Sequence, residues 1–379
     1  MIQSLSSRFE YKTLENMIYL NQASLGLISD TSINAMHQFL DNIGRHGNSM
    51  MTDEEEVNFF DDLRDTASLL FNCSKESLAI LSSASEMLNQ LPYLIQPKEG
   101  EKVILVSTDF PALHRPWLAF SEKRKIKLIS VEDERNNDLT ESLIAKIDKN
   151  TSVIVISYVQ FSTGSKVDIK RLRKITKKFD VKLIVDVTQA AGAIPVNSKN
   201  WNCDAIICSG YKWLGGHGGV GLAVLSEELI NKTPLMPGWM GAEYPFSTSN
   251  EKLNLAKSAK RYTQSTMSYV SIKGLEISIK EIMELKIKKI EDHSIELRNL
   301  FIEKLNNTSW NTFHNKNINL SSSNIVCISD KNRDMKKISS ILYQNKIICS
   351  YRNNHLRFSF AHYNNEIDVQ NCLNVLRSL

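Results

Sequence analysis

The middle of the chain alternates two patterns. Short, nearly unbroken apolar runs are separated by polar segments whose apolar residues recur every three or four positions. KVILVS (Lys102–Ser107), KIKLISV (Lys125–Val131), SVIVISYV (Ser152–Val159), KLIVDV (Lys182–Val187) and DAIICS (Asp204–Ser209) belong to the first kind. Such runs suit parallel strands covered on both faces. LTESLIAKIDK (Leu139–Lys149) and DIKRLRKITKKF (Asp168–Phe179) belong to the second and predict helices. The alternation predicts an α/β fold with a mostly parallel sheet. VGLAVLS (Val220–Ser226) adds a further strand.

Past about Tyr262 the pattern changes. One long helical stretch is predicted from about Ser271 to Leu305. A strand at NIVCISD (Asn324–Asp330) and a helix at MKKISSILYQN (Met335–Asn345) follow. Strands KIICSYR (Lys346–Arg352) and HLRFSFA (His355–Ala361) come next, then a final helix at EIDVQNCLNVLRSL (Glu366–Leu379). This is the pattern of a smaller α+β unit. The expected division is a large domain over 21–260 and a small one made of 1–20 with 261–379.

A chain of 379 residues can build a large core and two domains. Its 42% hydrophobic and 23% charged residues are ordinary for a globular protein, and a net charge of +4 gives no reason to expect nucleic acid or an anionic membrane as partner. The first residues, MIQSLSSRFEYK, lack the apolar core of a signal peptide, and no apolar run is long enough to cross a bilayer. Six scattered cysteines form no C-x-x-C pair, so neither a metal site nor a disulfide framework is expected. The setting that follows is reducing and cytoplasmic.

CSGYKWLGGHGGVG (Cys208–Gly221) places one lysine, Lys212, between an apolar strand and a glycine loop. Gly216, Gly218 and Gly221 spell the dinucleotide fingerprint, but they precede a strand instead of opening a helix, which speaks against a nucleotide site. Ligands of open α/β sheets sit beyond the carboxyl ends of the strands. Asp186 and Gln189 follow one strand, and Ser209 and Lys212 another. Phe110 and His114 follow a third, and Gln160, Ser162 and Thr163 a fourth. These groups are expected to face one crevice. SSASEMLNQL (Ser82–Leu91) predicts a helix capped by Ser83 or Ser85, whose first N–H groups suit a phosphate.

Taken singly, each residue except Lys212 has a structural explanation: a strand-end cap for Asp186, a surface amide for Gln189, an ion pair for Arg357. Together they meet one demand. Pyridoxal phosphate needs a lysine for its aldehyde, a carboxylate at its ring nitrogen, phosphate ligands and an aromatic face.

The ordered motifs MIYLNQASLGLIS, SSASEMLNQL, DFPALHRPW, YVQFSTG, VDVTQAAGAIPV, SGYKWLGG, RYTQSTMSYVSIKGL and HLRFSFAHYNNEIDV resemble those of the class V aminotransferases. That group includes cysteine desulfurases, kynureninases and isopenicillin-N-epimerase-like enzymes. The resemblance covers nearly the whole chain and implies fold type I and a homodimer. It implies that Lys212 forms the Schiff base, Asp186 pairs with the ring nitrogen and Gln189 meets the ring's 3-oxygen. Phe110 would stack on the ring, while Ala84, Ser85 and Ser209 would bind phosphate. Thr266 would reach the phosphate of a neighbouring subunit. Arg357 would grip the substrate carboxylate, with Asn21, Ala23, Arg352 and His114 lining the substrate side.

The pattern departs from the desulfurases in three places. The Tyr351–His355 connection is short and holds no cysteine, and Cys349 lies three residues from Arg352, on the opposite face of an extended strand. Phe110 and Tyr211 stand where desulfurases have histidines. The reading is therefore a pyridoxal phosphate enzyme acting at the α-carbon of an amino acid, of aminotransferase or C–S lyase type. An epimerase or racemase, a kynureninase-like hydrolase, or a non-catalytic dimeric relative are the alternatives. Specificity is expected in loops around Asn21–Leu27, His114–Trp117 and Met236–Tyr244.

Overall fold

The structure is a computed structural model and describes residues 1–248, 251–306 and 308–379. In chain order the strands are β1 (Ile18–Tyr19), β2 (Leu78–Leu81), β3 (Lys102–Val106), β4 (Lys127–Val131), β5 (Thr151–Ser157), β6 (Lys182–Asp186) and β7 (Ala205–Ser209). They continue with β8 (Gly221–Leu225), β9 (Asn311–Thr312), β10 (Ile325–Ser329), β11 (Ile347–Ile348), β12 (Ser350–Arg352) and β13 (His355–Ser359).

Seven strands form one sheet in the order β2-β8-β7-β6-β5-β3-β4. β8 is antiparallel to both its neighbours, and the other pairings are parallel. The strand period of two divides each apolar run between two cores. Ile104, Ile154, Ile156, Leu183, Val185 and Ile206 pack on one face, against Leu63, Leu172, Ile272 and Ile279. Val103, Leu105, Val153, Val155, Ile184 and Ile207 pack on the other, against Leu88, Leu91, Trp117 and Phe120. This is why the strands read as continuous apolar runs.

A third apolar cluster gathers Leu20 with Phe301, Trp310, Leu342, Phe358 and Leu373. It surrounds an antiparallel sheet in the order β12-β13-β10-β9. β1 pairs with β11, and Asn21 then bridges to Ser359, so the start of the chain is tied to its end.

Several boundaries differ from expectation. The helix expected over Leu139–Lys149 stops at Ile144, where the chain turns into β5 through Asp148, Asn150 and Thr151. The long helical stretch is two helices, Tyr269–Leu285 and Ile287–Leu305, broken at Lys286, whose φ of 67° lies in the left-handed region. KIICSYR is likewise broken at Cys349, so that β11 pairs with β1 and β12 with β13. His114–Trp117 is no loop. It lies in the helix Pro111–Arg124, with Trp117 fully buried.

Candidate active site

Four parallel strands end at one edge of the sheet. Asp186 is the last residue of β6 and Ser209 the last of β7, with Lys212 three residues on; Asp109 and Phe110 lie just past β3, and Gln160 just past β5. Lys212 is 7% exposed, and its Nζ sits 5.4 Å from the centre of the Phe110 ring and 5.7 Å from that of Tyr211. Burial lowers its amine to about 8, partly opposed by the negative charge of Asp186 and reinforced by Arg357 and Arg352. Asp186 is buried in turn, and burial pushes its carboxyl up to about 6 against the bond from the Thr188 N–H at 2.7 Å. Among the described residues only Thr188 donates to it, so the second carboxylate oxygen has room for another donor.

The lysine loop is fixed from below by the N-terminal segment. The amide of Gln22 donates to the Lys212 carbonyl at 2.9 Å, and the Gly26 N–H to that of Tyr211 at 2.9 Å. A Cβ at Gly26 would stand 2.1 Å from the Lys212 carbonyl oxygen, so only glycine permits this approach. Gln189 ties the same parts together. Its Nε2 donates to the Ala23 carbonyl at 3.0 Å and its Oε1 accepts from the Trp213 indole at 2.9 Å. One amide hydrogen stays available for a ligand.

Ser83, not Ser85, caps the helix Ala84–Ile95 by accepting the Glu86 N–H at 3.2 Å. Ala84 and Ser85 are therefore its first two residues, with N–H groups free of intrahelical partners and the positive end of the helix dipole behind them. This helix start rests on β8, where a Cβ at Gly221 would meet the Ser83 carbonyl carbon at 2.4 Å. Gly221 thus serves close packing of strand and helix start, and the apparent dinucleotide fingerprint has no nucleotide geometry.

Arg357 is 1% exposed on β13. Its Nη1 donates to the Phe161 carbonyl at 2.7 Å and its Nη2 to the hydroxyls of Ser24 and Ser350 at 2.5 and 3.3 Å, while Nε is buried without a partner. Among the described residues no carboxylate pairs with it. Burial lowers its pKa to about 10. A desolvated, unpaired cation is costly unless an anion arrives to meet it. Arg352 reaches the same Ser24 hydroxyl at 3.4 Å. Asn21 joins through Ser350, whose hydroxyl donates to its Oδ1 at 2.6 Å.

Other expected residues fall elsewhere. Gln160, Ser162 and Thr163 are buried and engaged below the crevice, with Asp109, the Thr108 carbonyl and Asp133 respectively. His114 lies within the helix, and its Nε2 donates to the Val106 carbonyl at 2.8 Å. Thr266 is exposed and donates to Glu56 at 3.3 Å, so within one chain it meets a carboxylate. Cys349 faces the third apolar cluster and Ser339, and burial pushes its thiol up to about 12.

Two contributors escaped the sequence reading. Asp109 is fully enclosed and accepts the Phe110 N–H at 2.8 Å and the Ser157 N–H at 2.7 Å, which fixes the turn that presents the Phe110 ring. Ser24 is the meeting point of both arginines. Asp109 carried a faint signal as the residue before a Phe-Pro helix start. Ser24 carried none.

A lysine lowered to about 8, a buried carboxylate with one open oxygen, an aromatic ring beside the amine and a helix start with free N–H groups together fit pyridoxal phosphate. The aminotransferase class-V family pattern matches residues 18–372. The uncharacterized aminotransferase YcbU of Bacillus subtilis is 22% identical over 370 residues, covering 96% of this chain and 94% of that one. The apo cysteine desulfurase of Thermococcus onnurineus superposes with a TM-score of 0.86 at 22% identity, covering 98% and 96% of the two chains. The cystine C–S lyase C-DES, in complex with cysteine persulfide, gives 0.88 at 16% identity, covering 97% and 98%. The chain belongs to the class V aminotransferase family and is a pyridoxal phosphate-dependent enzyme.

Proposed function

We propose that this protein acts at the α-carbon of an amino acid as an aminotransferase or a C–S lyase. The observation that carries this reading is the buried pair Lys212–Asp186 near an arginine, Arg357, that is almost wholly buried and, among the described residues, has only neutral partners. Lys212 would hold the cofactor's aldehyde carbon, Asp186 its ring nitrogen and Phe110 one ring face. Ala84, Ser85 and Ser209 would take the phosphate, and the spare Gln189 hydrogen the ring oxygen. When bound, the cofactor supplies an electron sink that stabilises negative charge at the substrate α-carbon.

The chain's own residues do the rest. Arg357 binds the α-carboxylate through its planar fork, replacing the neutral partners it now holds. Lys212 would take the α-proton at Nζ, and an amine near 8 suits proton exchange at neutral pH. Asp186, as a carboxylate beside the ring nitrogen, would favour that nitrogen's protonated form. A desulfurase that carries a persulfide on its own thiol is disfavoured, because Cys349 points into an apolar cluster away from Arg352.

The proposal extends to a cytoplasmic homodimer, in which Thr266 leaves Glu56 for the phosphate of the other subunit. It also takes 21–260 as the large domain and 1–20 with 261–379 as the small one. The test is borohydride reduction followed by peptide mass spectrometry. A reduced pyridoxyl group on Lys212 is expected, and its absence from every lysine sinks the reading. Once the tag is found, an amino acid panel run on unreduced enzyme, with and without a keto acid acceptor, separates transamination from release of sulfide and ammonia.

A further inference from the structure

The substrate end of the crevice holds more positive charge than an α-carboxylate requires. Arg357 and Arg352 converge on one oxygen, the Ser24 hydroxyl, at 2.5 and 3.4 Å. That oxygen accepts from both, so its own proton goes to Ser350, 2.7 Å away, and the Ser350 proton goes to Asn21 Oδ1. The chain of hydroxyls is fully oriented and presents only acceptors to the arginines. Arg352 otherwise donates to the Tyr351 carbonyl at 2.8 Å. Among the described residues neither arginine lies within ion-pair distance of a carboxylate. Two guanidinium groups that share a neutral acceptor repel one another, an arrangement that an anion between or beside them relieves.

Arg352 is also held in place. β12 and β13 are joined by two residues, Asn353 and Asn354, with φ of 43° and 60°. Two consecutive left-handed residues make the tight turn that matches strand twist, and asparagine tolerates both positions. Along β12, Ser350 and Arg352 share one face by the strand period, and both meet Ser24. Arg352 therefore ends a short, stiff hairpin at the mouth of the crevice, next to the almost fully buried Arg357.

Resting on the reading that Arg357 takes the α-carboxylate, we propose that Arg352 binds a second carboxylate, carried on the substrate side chain. The substrate is then a dicarboxylic amino acid, and Ser24 keeps the two arginines at a fixed separation.

The test uses the cofactor-loaded full chain. L-aspartate, L-glutamate, L-2-aminoadipate and, for C–S cleavage, S-carboxymethyl-L-cysteine are each compared with their amide or hydrocarbon counterparts, by kcat/KM and by the visible absorbance change on binding. The wild type is expected to favour at least one acid over its neutral counterpart. In Arg352→Gln the acid-to-neutral ratio is expected to fall at least tenfold, and in Arg352→Glu a basic amino acid such as L-ornithine is expected to overtake the acids. An unchanged ratio overturns the proposal. So does a wild type that prefers neutral amino acids, or a fall that is equal for acids and neutrals, which would put Arg352 on the α-carboxylate. Residue 352 is exposed, so these variants fold. The parent reading fails in a different way: no reducible cofactor on Lys212, and no absorbance change with any amino acid.

Discussion

Replacing Lys212 with methionine should make the cofactor-free protein more stable at neutral pH, and the gain should vanish in alkali. The lysine amine is lowered from 10.5 to about 8, chiefly by burial. A group whose folded pKa is depressed in this direction binds more protons unfolded than folded between the two values. Stability therefore rises with pH across roughly pH 8 to 10.5 and is lowest below that window. A shift of about 2.5 units corresponds to about 3 kcal/mol at 1.36 kcal/mol per unit. Asp186 offsets part of this, because losing the lysine charge leaves its carboxylate less well compensated. A net gain of about 1–3 kcal/mol remains. At about 2.1 cal/mol/K of unfolding entropy per residue, a chain of this length gains about 1–4 °C in Tm. The assay is thermal unfolding of stripped wild type and Lys212→Met from pH 7 to 11. The difference should shrink as pH passes 8 and disappear above 10.5. A constant difference across that range, or a variant that melts lower at pH 7, refutes the claim that a buried lysine charge is costly here.

Gly26→Ala should cost about 1–3 kcal/mol through overpacking against the Lys212 carbonyl, and should lower the fraction of Lys212 tagged after borohydride; an unchanged tag fraction would show that the loop yields freely. For Arg357→Met, stability and affinity should move in opposite directions: Tm unchanged or higher, because an unpaired buried cation is gone, and substrate affinity about 10- to 100-fold weaker, for a lost charge-assisted pair. A lower Tm with intact affinity would make Arg357 structural. Cys349→Ala should leave sulfide or keto acid release within about twofold, since the thiol packs against the third apolar cluster and has no part in the crevice; loss of turnover would place the thiol in the chemistry after all.

What the sequence disclosed follows a physical division. Asp186, Lys212 and Phe110 were legible because a buried parallel strand has an unmistakable apolar run, and the residue just past its end must face the crevice. Cys349 does face away from the crevice, but the strand whose parity suggested it is broken at that residue, and packing against the third apolar cluster is what turns it inward. Features that depend on contact between distant segments left no trace. Nothing local marks Ser24 as the oxygen shared by two arginines, nor Gly26 as the point where the first loop touches the lysine loop. The break at Lys286 was equally silent, because a lysine with φ of 67° lacks the glycine or proline that announces a helix end. Nor could Gln160, Ser162 and Thr163 be separated from pocket-lining residues, since following a strand does not say whether a hydroxyl turns toward the crevice or toward a buried acid.

Arginine shows the same limit most sharply. Arg298 and Arg357 are each 1% exposed and neither has a carboxylate partner among the described residues, so burial and charge alone would nominate both as anion sites. Their surroundings separate them. Arg298 spends its nitrogens on the Asn315 and Lys316 carbonyls and the Ser321 hydroxyl, fastening the 315–321 segment to its helix, and burial is the sole cause that lowers its pKa. Arg357 retains a buried Nε with no acceptor and lies close enough to Lys212 to lower that amine. An arginine whose donors are spent on backbone carbonyls is a fastening. One that leaves a donor orphaned beside a depressed lysine has room for an anion, and that asymmetry, rather than burial, is what supports the proposal that Arg357 takes the substrate carboxylate.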